Sequence, residues 1–565
     1  MYRCVLMRSF FCTYVLSLQK GEVFLLVLEL KNIVTSVGDR CLFKIDDLKV
    51  YSKDRIGIVG SNGVGKTTLL KIMAGLIQPD EGKVVQHRSP SYIAQLDGSY
   101  EQEDGMNPGI AHEFQIGMQY EKTMSGGEKT RYRLALAFSK DTAFLLADEP
   151  TANLDIKGTE LVQQKLQDFQ GAFVIVSHDR ELLDMVCTSI WEIQEGEIKV
   201  YTGNYRQYLA EKEVKKAQQA REYENYLVEK KKLEAGAADR RQQAVTMRKT
   251  PSRMGNSEAR LHKMGNQKAK ANLDKAVKAM ETRMSKLEVK DKPKSNPKVA
   301  FDLVNTDDLY SKMVLRAEGI SKFFGNRRLY DQAEFSIGSG YKVALVGDNG
   351  CGKTTLMNMI LSYAEGIYVA LKVRFGHFSQ AIEGLDLDTS ILANVMTDSI
   401  YDENFVRSLL AQLLFRRDDV YKKVAVLSGG ERTRVALAQI MVSKANVLVL
   451  DEPTNYLDLP SLAALEAVLA EYKGTILFAS HDRKFINSIA THLMLFDSGK
   501  LRLFSGNYED YLQYKQEQKG DSAKEGRLLL EHRLAEVLSK LSVAKDRNTI
   551  DHLDKEYHEL LVKLK

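Results

Sequence analysis

Two Asp-Glu pairs, Asp148-Glu149 and Asp451-Glu452, each end an apolar run and each precede a proline. A carboxylate at a strand end can hold a divalent cation through water, and its neighbour can orient and deprotonate an attacking water. Far upstream of each pair lies a glycine-rich loop of the form GxxxxGK[ST]. The first contains Gly60, Ser61, Asn62, Gly63, Gly65, Lys66, Thr67 and Thr68; the second contains Gly347, Asp348, Asn349, Gly350, Gly352, Lys353, Thr354 and Thr355. Glycines let backbone N–H groups close around phosphate oxygens, and a following helix adds positive potential at its N-terminus. Lys66 and Lys353 would reach the β- and γ-phosphates, and Thr67 and Thr354 would ligate Mg²⁺. His178 and His481 follow the apolar runs 172–176 and 475–479, where an imidazole could bond a terminal phosphate. Glu149, Glu452, His178 and His481 are therefore the candidate catalytic groups. Thr67, Thr354, Asp148 and Asp451 are the candidate metal ligands, joined by Gln95 and Gln380, which can sense the metal and water. The chemistry is hydrolysis of a nucleoside triphosphate, with ATP and Mg²⁺ as the expected ligands. A lone glycine-rich loop is often an ordinary tight turn; two complete sets in the same order are not.

These residues require a strand before each glycine loop and a helix after it. Apolar runs at 55–59 and 342–346, followed by apolar helical patterns, supply both. The motifs also expose an internal repeat. Ser125-Gly-Gly-Glu128, Asp148 and His178 recur 303 residues later at Ser428-Gly-Gly-Glu431, Asp451 and His481, whereas Lys66 and Lys353 differ by 287 and Gln95 and Gln380 by 285. The second copy thus carries 18 extra residues between its glutamine and its SGGE. The predicted fold class is α/β: two tandem P-loop ATPase domains joined by a long α-helical hairpin, with a C-terminal helical extension. Expected boundaries are 26–203 and 301–514 for the two domains, 204–300 for the hairpin and 515–565 for the extension. Residues 1–25 form a leader, expected to be disordered or to come from an upstream start, with the first strand at 26–33.

The hairpin segment 204–300 holds 25 Lys and Arg against 12 Asp and Glu, a net +13 in a chain of +5, so the remainder sums to −8. Leu273, Val277, Met280, Met284 and Leu287 step by four and three, the seam of a coiled coil. Leu209, Tyr223, Tyr226, Leu227 and Leu233 mark a looser apolar face upstream, and Pro251 and Gly255 break the pattern between two helices. Arg240, Arg241, Arg248, Lys249, Arg253 and Arg260 concentrate cationic charge toward the tip. A charge run usually marks a solvated helix face. A basic end on a helix of roughly 40 residues, about 60 Å long at 1.5 Å per residue, points instead to a large polyanion, with Lys and Arg meeting RNA phosphates and stacking on exposed bases. Five cysteines without CxxC spacing argue against a disulfide framework or zinc site and fit a reducing cytosol. The apolar stretch at 5–18 is interrupted by Arg8 and is too short to span a membrane.

These motifs resemble those of ATP-binding cassette (ABC) ATPases, with SGGE as the signature. The resemblance implies head-to-tail pairing of the cassettes. Lys66 would share one ATP with Ser428, Gly429 and Gly430; Lys353 would share the other with Ser125, Gly126 and Gly127. Ala152-Asn-Leu-Asp155 and Asn455-Tyr-Leu-Asp458 match the loop that joins the sites. Phe324 matches the aromatic residue that stacks on adenine, and the corresponding position in the first repeat is Val37. Two cassettes on one chain around a charged helical hairpin resemble the ABC-F family, with closest likeness to its antibiotic-resistance, ribosomal-protection branch (Vga-type and Vml-type). Only 29 residues separate Gln95 from Ser125, too few for the arm insertion of the housekeeping members. The resemblance implies a cytoplasmic monomer whose cassettes pair within the chain. Its partner would be the bacterial 70S ribosome, bound in the E site with the hairpin tip near P-site tRNA and the peptidyl-transferase centre. Lincosamides, pleuromutilins and streptogramin A would be displaced there. Two other functions remain open: a translation or assembly factor without a drug role, and a transporter's ATPase subunit, for which the short gap before Ser125 is a poor fit.

Overall fold

The structure is a computed structural model. It describes residues 16–19, 22–38, 40–94, 105–121, 123–140, 142–246, 256–290, 312–324, 327–379, 384–497, 499–517 and 555. The chain divides into a two-cassette unit, 1–200 with 298–565, and a hairpin unit, 201–297. The hairpin unit begins and ends three residues earlier than the segment expected from sequence.

Each cassette is built on a parallel sheet with the same strand order. In the first cassette the order is Ser91–Ile93, Phe144–Asp148, Ala172–Val176, Arg55–Gly60 and Ser189–Gln194, all parallel. In the second it is Phe375–Phe378, Val447–Asp451, Thr475–Ala479, Lys342–Val346 and His492–Asp497, again parallel. The strands that end at Asp148 and Asp451, and those that lead to His178 and His481, are buried at every residue. Covered on both faces, they read as continuous apolar runs. This order sets the glycine-loop strand beside the histidine strand and the histidine strand beside the Asp strand. In each cassette the candidate catalytic groups therefore emerge at the carboxyl edge of its sheet.

Antiparallel strands complete each cassette. In the first they continue the same sheet, ten-stranded among the described residues, through Glu197–Thr202, where Glu197 pairs with Lys44; in the second they form a separate three-stranded sheet. In the first cassette Glu22–Val37 pairs with Arg40–Tyr51 and with Glu81–Gln86; in the second, Met313–Phe324 pairs with Arg327–Gly338 and with Ile367–Val369. The first strand is longer than the sequence suggested, because its start pairs back on the leader: Leu16–Gln19 runs antiparallel to it, with Leu16 opposite Leu25 and Gln19 opposite Glu22. The expectation of a disordered leader is thus corrected for residues 16–19; residues 1–15 lie outside the described residues. The 18 extra residues of the second repeat fall among the helices Ile391–Met396 and Glu403–Gln412 and the 3₁₀ turns Arg417–Tyr421 and Val424–Val426. In the corresponding stretch of the first cassette the described residues show only the short helix Pro108–Glu113.

The hairpin unit is two long helices, Tyr205–Thr246 and Asn256–Lys286. The predicted seam residues Leu273, Val277, Met280, Met284 and Leu287 turn inward, and Val277 is buried. Opposite them the longer helix presents small residues: Ala237 and Ala244 are buried, and a Cβ on Gly236 would stand 3.3 Å from the Met280 methyl. Small residues against a methionine row let the two backbones approach. Arg241 pairs with Glu281, Arg283 with Glu229 at 3.0 Å, and the Arg240 guanidinium donates to Met280 Sδ at 3.0 Å. Arg240 and Arg241 therefore lie on the paired shaft. Arg248, Lys249 and Arg253 fall outside the described residues, as does the expected C-terminal extension apart from 515–517 and 555. Arg260 is on the second helix, with its side chain outside the description.

Gly57 shows how tightly the first sheet meets its helices. A Cβ there would stand 2.7 Å from Leu183 Cδ2 and 3.0 Å from both Cys187 Sγ and Ile190 Cδ1. We expect Gly57→Val to cost about 1–3 kcal/mol through overpacking, read as a melting temperature several degrees lower.

Candidate active sites: two ATP sites shared between cassettes

Each glycine loop runs from its strand into a helix, Lys66–Met73 or Lys353–Leu361, whose N-cap is a glycine in the left-handed region (Gly65, φ 101°; Gly352, φ 105°). A side chain is excluded at these positions by conformation and also by space, since a Cβ on Gly65 would meet Phe43 at 2.9 Å. Lys66 Nζ donates to Gly60 O at 2.7 Å and to Ser61 O at 3.3 Å. Lys353 Nζ donates likewise to Gly347 O at 2.8 Å and to Asp348 O at 3.3 Å. Both ammonium groups are buried, and burial lowers the pKa of Lys66 against the opposing pull of Glu149, Asp458 and Asp148.

Behind the loops, Thr354 Oγ1 donates to Asp451 Oδ2 at 2.7 Å, and Thr67 faces Asp148 and favours its charged form. Burial raises the pKa of Asp148 against the Thr67 bond and the charge of Lys66. The other carboxylate oxygen of Asp148, Oδ2, is buried without a hydrogen-bond partner. Among the described residues no three His, Cys, Asp or Glu converge on one point. One hydroxyl and one carboxylate, with an uncompensated oxygen, fit a hard cation that takes its remaining ligands from water and phosphate. The donor sets thus suit Mg²⁺ at Thr67 with Asp148 and at Thr354 with Asp451. Gln95 and Gln380 lie outside the described residues.

Glu149 and Glu452 have left-handed backbones, φ 51° and 50°, rare for a side chain of this kind and characteristic of strained functional positions. The turn carries each carboxyl back toward the histidine. The His178 N–H donates to Glu149 Oε2 at 3.1 Å, and the His178 and His481 Nε2 atoms stand 3.4 Å from Glu149 Oε1 and Glu452 Oε1. Burial is the main cause of the raised carboxyl pKa values, to about 8 for Glu149 and about 7 for Glu452, and Lys66 and Lys353 oppose it. Burial likewise lowers His178 and His481 to about 3. Each site therefore sets an imidazole whose burial favours its neutral form beside a buried carboxyl group raised by the same cause.

The cassettes complete each other. Asn62 N donates to Asp458 Oδ2 at 2.9 Å and Asn62 Nδ2 to Tyr456 O at 2.9 Å. The converse bonds run from Asn349 N to Asp155 Oδ2 at 3.2 Å and from Asn349 Nδ2 to Asn153 O at 3.0 Å. Asp458 and Asp155 also cap the helices Leu459–Glu471 and Ile156–Asp168. Burial pushes both carboxyls up, but the converging N–H donors outweigh it and hold them low, hence ionised. Lys157 Nζ adds a bond to Asp348 at 2.8 Å. Both signature serines form capping boxes: Ser125 Oγ accepts from Glu128 N while Ser125 N donates to Glu128 Oε2 at 2.8 Å, and Ser428 does the same with Glu431. The helices they start, Gly126–Ser139 and Gly429–Val442, present free N–H groups where an anion is favoured. A single cavity of about 1490 Å³ is lined by Lys66, Thr67, Ser428 and Gly430 at one site and by Lys353, Thr354, Ser125 and Gly127 at the other. We call these site one and site two. The pairing implied by resemblance is therefore the one the geometry makes.

Phe324 lines the same cavity and is 79% exposed, free to stack on a base. At site one Val37 lines it beside Arg40, its partner across the strand pair. Sequence reasoning named the loops, the signatures and the catalytic pairs but passed over Lys157 and over the arginine after each His-Asp pair, Arg180 and Arg483. The SxxE spacing of a capping box was legible, though it was read only as a signature.

Residues 43–113 and 330–455 match the sequence family described as ABC transporter, and residues 191–267 match a second family with the same description. The erythromycin resistance ATP-binding protein MsrA of Staphylococcus epidermidis is 37% identical over 452 residues, covering 79% of this chain and 92% of that protein. The chain belongs to the ABC-F family. A further ABC-F relative, the ribosome protection protein VmlR of Bacillus subtilis (strain 168), is 30% identical over 549 residues, covering 95% of this chain and 98% of its own. The fold matches an archaeal ribosome recycling factor, aABCE1, solved in complex with the ribosomal stalk protein aP1. That match has a TM-score of 0.57 and 19% identity over 84% of this chain and 90% of the other. The ABC-F chain is accordingly an ATP hydrolase with two tandem cassettes. Among the described residues no helix is long and apolar enough to cross a membrane.

The close approach of the cassettes is testable at Gly430. A Cβ there would stand 2.5 Å from Tyr456 O, the carbonyl that accepts from Asn62 Nδ2. Gly430→Ala should displace that carbonyl and lower ATP turnover at site one about tenfold, ~1.4 kcal/mol in barrier. Steady-state hydrolysis in a Glu452→Gln background, where only site one turns over, measures it.

Proposed function

We propose that this ABC-F chain protects the bacterial ribosome from antibiotics that act at the peptidyl-transferase centre. ATP, with Mg²⁺ held by Thr67 and Asp148 and by Thr354 and Asp451, closes the two cassettes. The cation would supply charge neutralisation at the β- and γ-phosphates. Glu149 and Glu452 would take the proton of the attacking water, with His178 and His481 bonding the terminal phosphate. Closed, the protein occupies the E site of the 70S ribosome as a cytoplasmic monomer; hydrolysis releases it. The hairpin tip, with Arg248, Lys249, Arg253 and Arg260 and the shaft residues Arg240 and Arg241 below it, meets ribosomal RNA near P-site tRNA. Lincosamides, pleuromutilins and streptogramin A are the drug classes displaced.

The observation that carries this reading is the hairpin. It is a separate basic unit, distinct from the two cassettes, and the nucleotide-site motifs all lie outside it. Its sequence lies within the 95% of the chain shared with a protein named for ribosome protection. A transporter subunit would have no use for it. The name of the MsrA relative adds erythromycin to the drugs worth testing.

With Glu149→Gln and Glu452→Gln combined, the ribosome complex should be trapped and co-sediment with 70S ribosomes in ATP but not in its absence. A double variant that stays in the supernatant would overturn ribosome binding. Expressed in a susceptible host, the wild-type chain should raise the inhibitory concentration of at least one named drug. Substitutions across 248–260 should change which drug is affected while leaving basal ATP hydrolysis intact. Ribosome binding without any change in inhibitory concentration would favour a translation or assembly factor.

A further inference from the structure

Beyond the two nucleotide sites, the cassettes are tied by an arginine that immediately follows each His-Asp pair. Arg180 Nη1 donates to Glu466 Oε2 at 2.9 Å while Nη2 bonds Glu466 Oε1, a two-pronged contact to the other cassette. The same guanidinium stands 3.7 Å from Asp482, next to His481. Its counterpart Arg483, displaced by the repeat offset of 303, reaches Gln163 Oε1 at 3.0 Å, Glu181 at 2.9 Å and Glu160 at 3.6 Å. Gln163 and Glu466 are themselves one repeat apart.

The partners occupy telling positions. Glu466 lies on the helix Leu459–Glu471, whose capping residue Asp458 bonds the Asn62 backbone in the glycine loop of site one. Asp458 and Glu466 are eight residues apart, about 12 Å along a helix. One rigid helix of the second cassette thus grips site one at two points: the glycine loop through Asp458, and the loop of His178 through Arg180. The helix Ile156–Asp168 does the same for site two through Asp155 and Gln163.

We propose that Arg180 and Arg483 are positioning residues that couple each cassette's histidine loop to the other cassette, and that the coupling is tighter at site one. The difference lies in chemistry and solvent. Arg180 meets a carboxylate in a bidentate contact, and the side chains are only 6% and 15% exposed. Arg483 meets an amide, and its carboxylate partners Glu181 and Glu160 are 40% and 49% exposed. Charge-assisted bidentate bonds are stronger than bonds to a neutral amide, and solvent screens the exposed pairs.

The test separates the sites. Glu452→Gln leaves site one to turn over, and Glu149→Gln leaves site two. In the first background Arg180→Ala should lower kcat for ATP about tenfold or more with KM little changed, the pattern of lost transition-state alignment. In the second background Arg483→Ala should lower kcat less, about twofold. Arg180→Lys should recover part of the loss. Glu466→Gln, which recreates the arginine–amide contact of site two, tests the same grip should Arg180→Ala fail to fold; it should produce a smaller loss confined to site one. Equal losses at both sites, or unchanged kcat at site one in folded Arg180→Ala or Glu466→Gln protein, would overturn the proposal.

Discussion

The closure of one cassette on the other is the constraint from which the rest of the structure follows. Neither P-loop can finish its own site. Each asparagine of the loop, Asn62 or Asn349, spends its backbone N–H on an aspartate of the opposite cassette and its side-chain amide on a backbone carbonyl beside that aspartate. The signature glycines Gly127 and Gly430 leave room for the Asn153 and Tyr456 carbonyls of their own cassettes, the carbonyls that accept from the opposite asparagines. A catalytic site split in this way is complete only when two surfaces meet. Groups of both cassettes line one cavity, so an occupant of that cavity links the two.

Electrostatics inside the interface reinforces the link. Water is largely excluded from Glu149 and Glu452, so their carboxyl groups rise toward neutrality while the nearby lysines hold them from rising further. Asp155 and Asp458 are also buried, yet they remain ionised because several N–H donors converge on each. Two kinds of buried carboxylate thus serve two purposes. One is left short of donors and ready for a proton; the other is fully satisfied and serves as a structural tie. Neighbouring backbone geometry separates them, since the left-handed turn at each glutamate aims its side chain at a histidine instead of at a donor cluster.

The two cassettes are copies in strand order but not in detail. Phe324 has Val37 as its counterpart, Glu466 has Gln163, and the second cassette carries extra helices before its signature. The first lies at the nucleotide cavity and the second at the contact between cassettes, whereas the extra helices bury Leu392, Val406 and Leu409 in the core of the second cassette. The buried strands of the two copies keep the same apolar character. In the hairpin unit the seam is held by a few small and sulfur-bearing residues, and most of its charge stays at the surface.

Sequence alone determined the motifs, their order and the two-copy α/β architecture, because a glycine loop, a strand-ending Asp-Glu pair and an SxxE cap each encode a local backbone requirement. It also marked the coiled-coil seam of the hairpin, since a period of four and three residues needs no partner to be recognised. The pairing of Lys66 with Ser428 and of Lys353 with Ser125 was implied by resemblance. Only the tertiary structure decided that Asn62 and Asn349 bond the opposite cassette, that residues 16–19 pair with the first strand, and that Arg180 and Arg483 cross to the other cassette. The physical reason is distance along the chain. Asn62 and Asp458 are 396 residues apart and Arg180 and Glu466 are 286, and no local pattern records which polar groups will face each other once two separately folded sheets close.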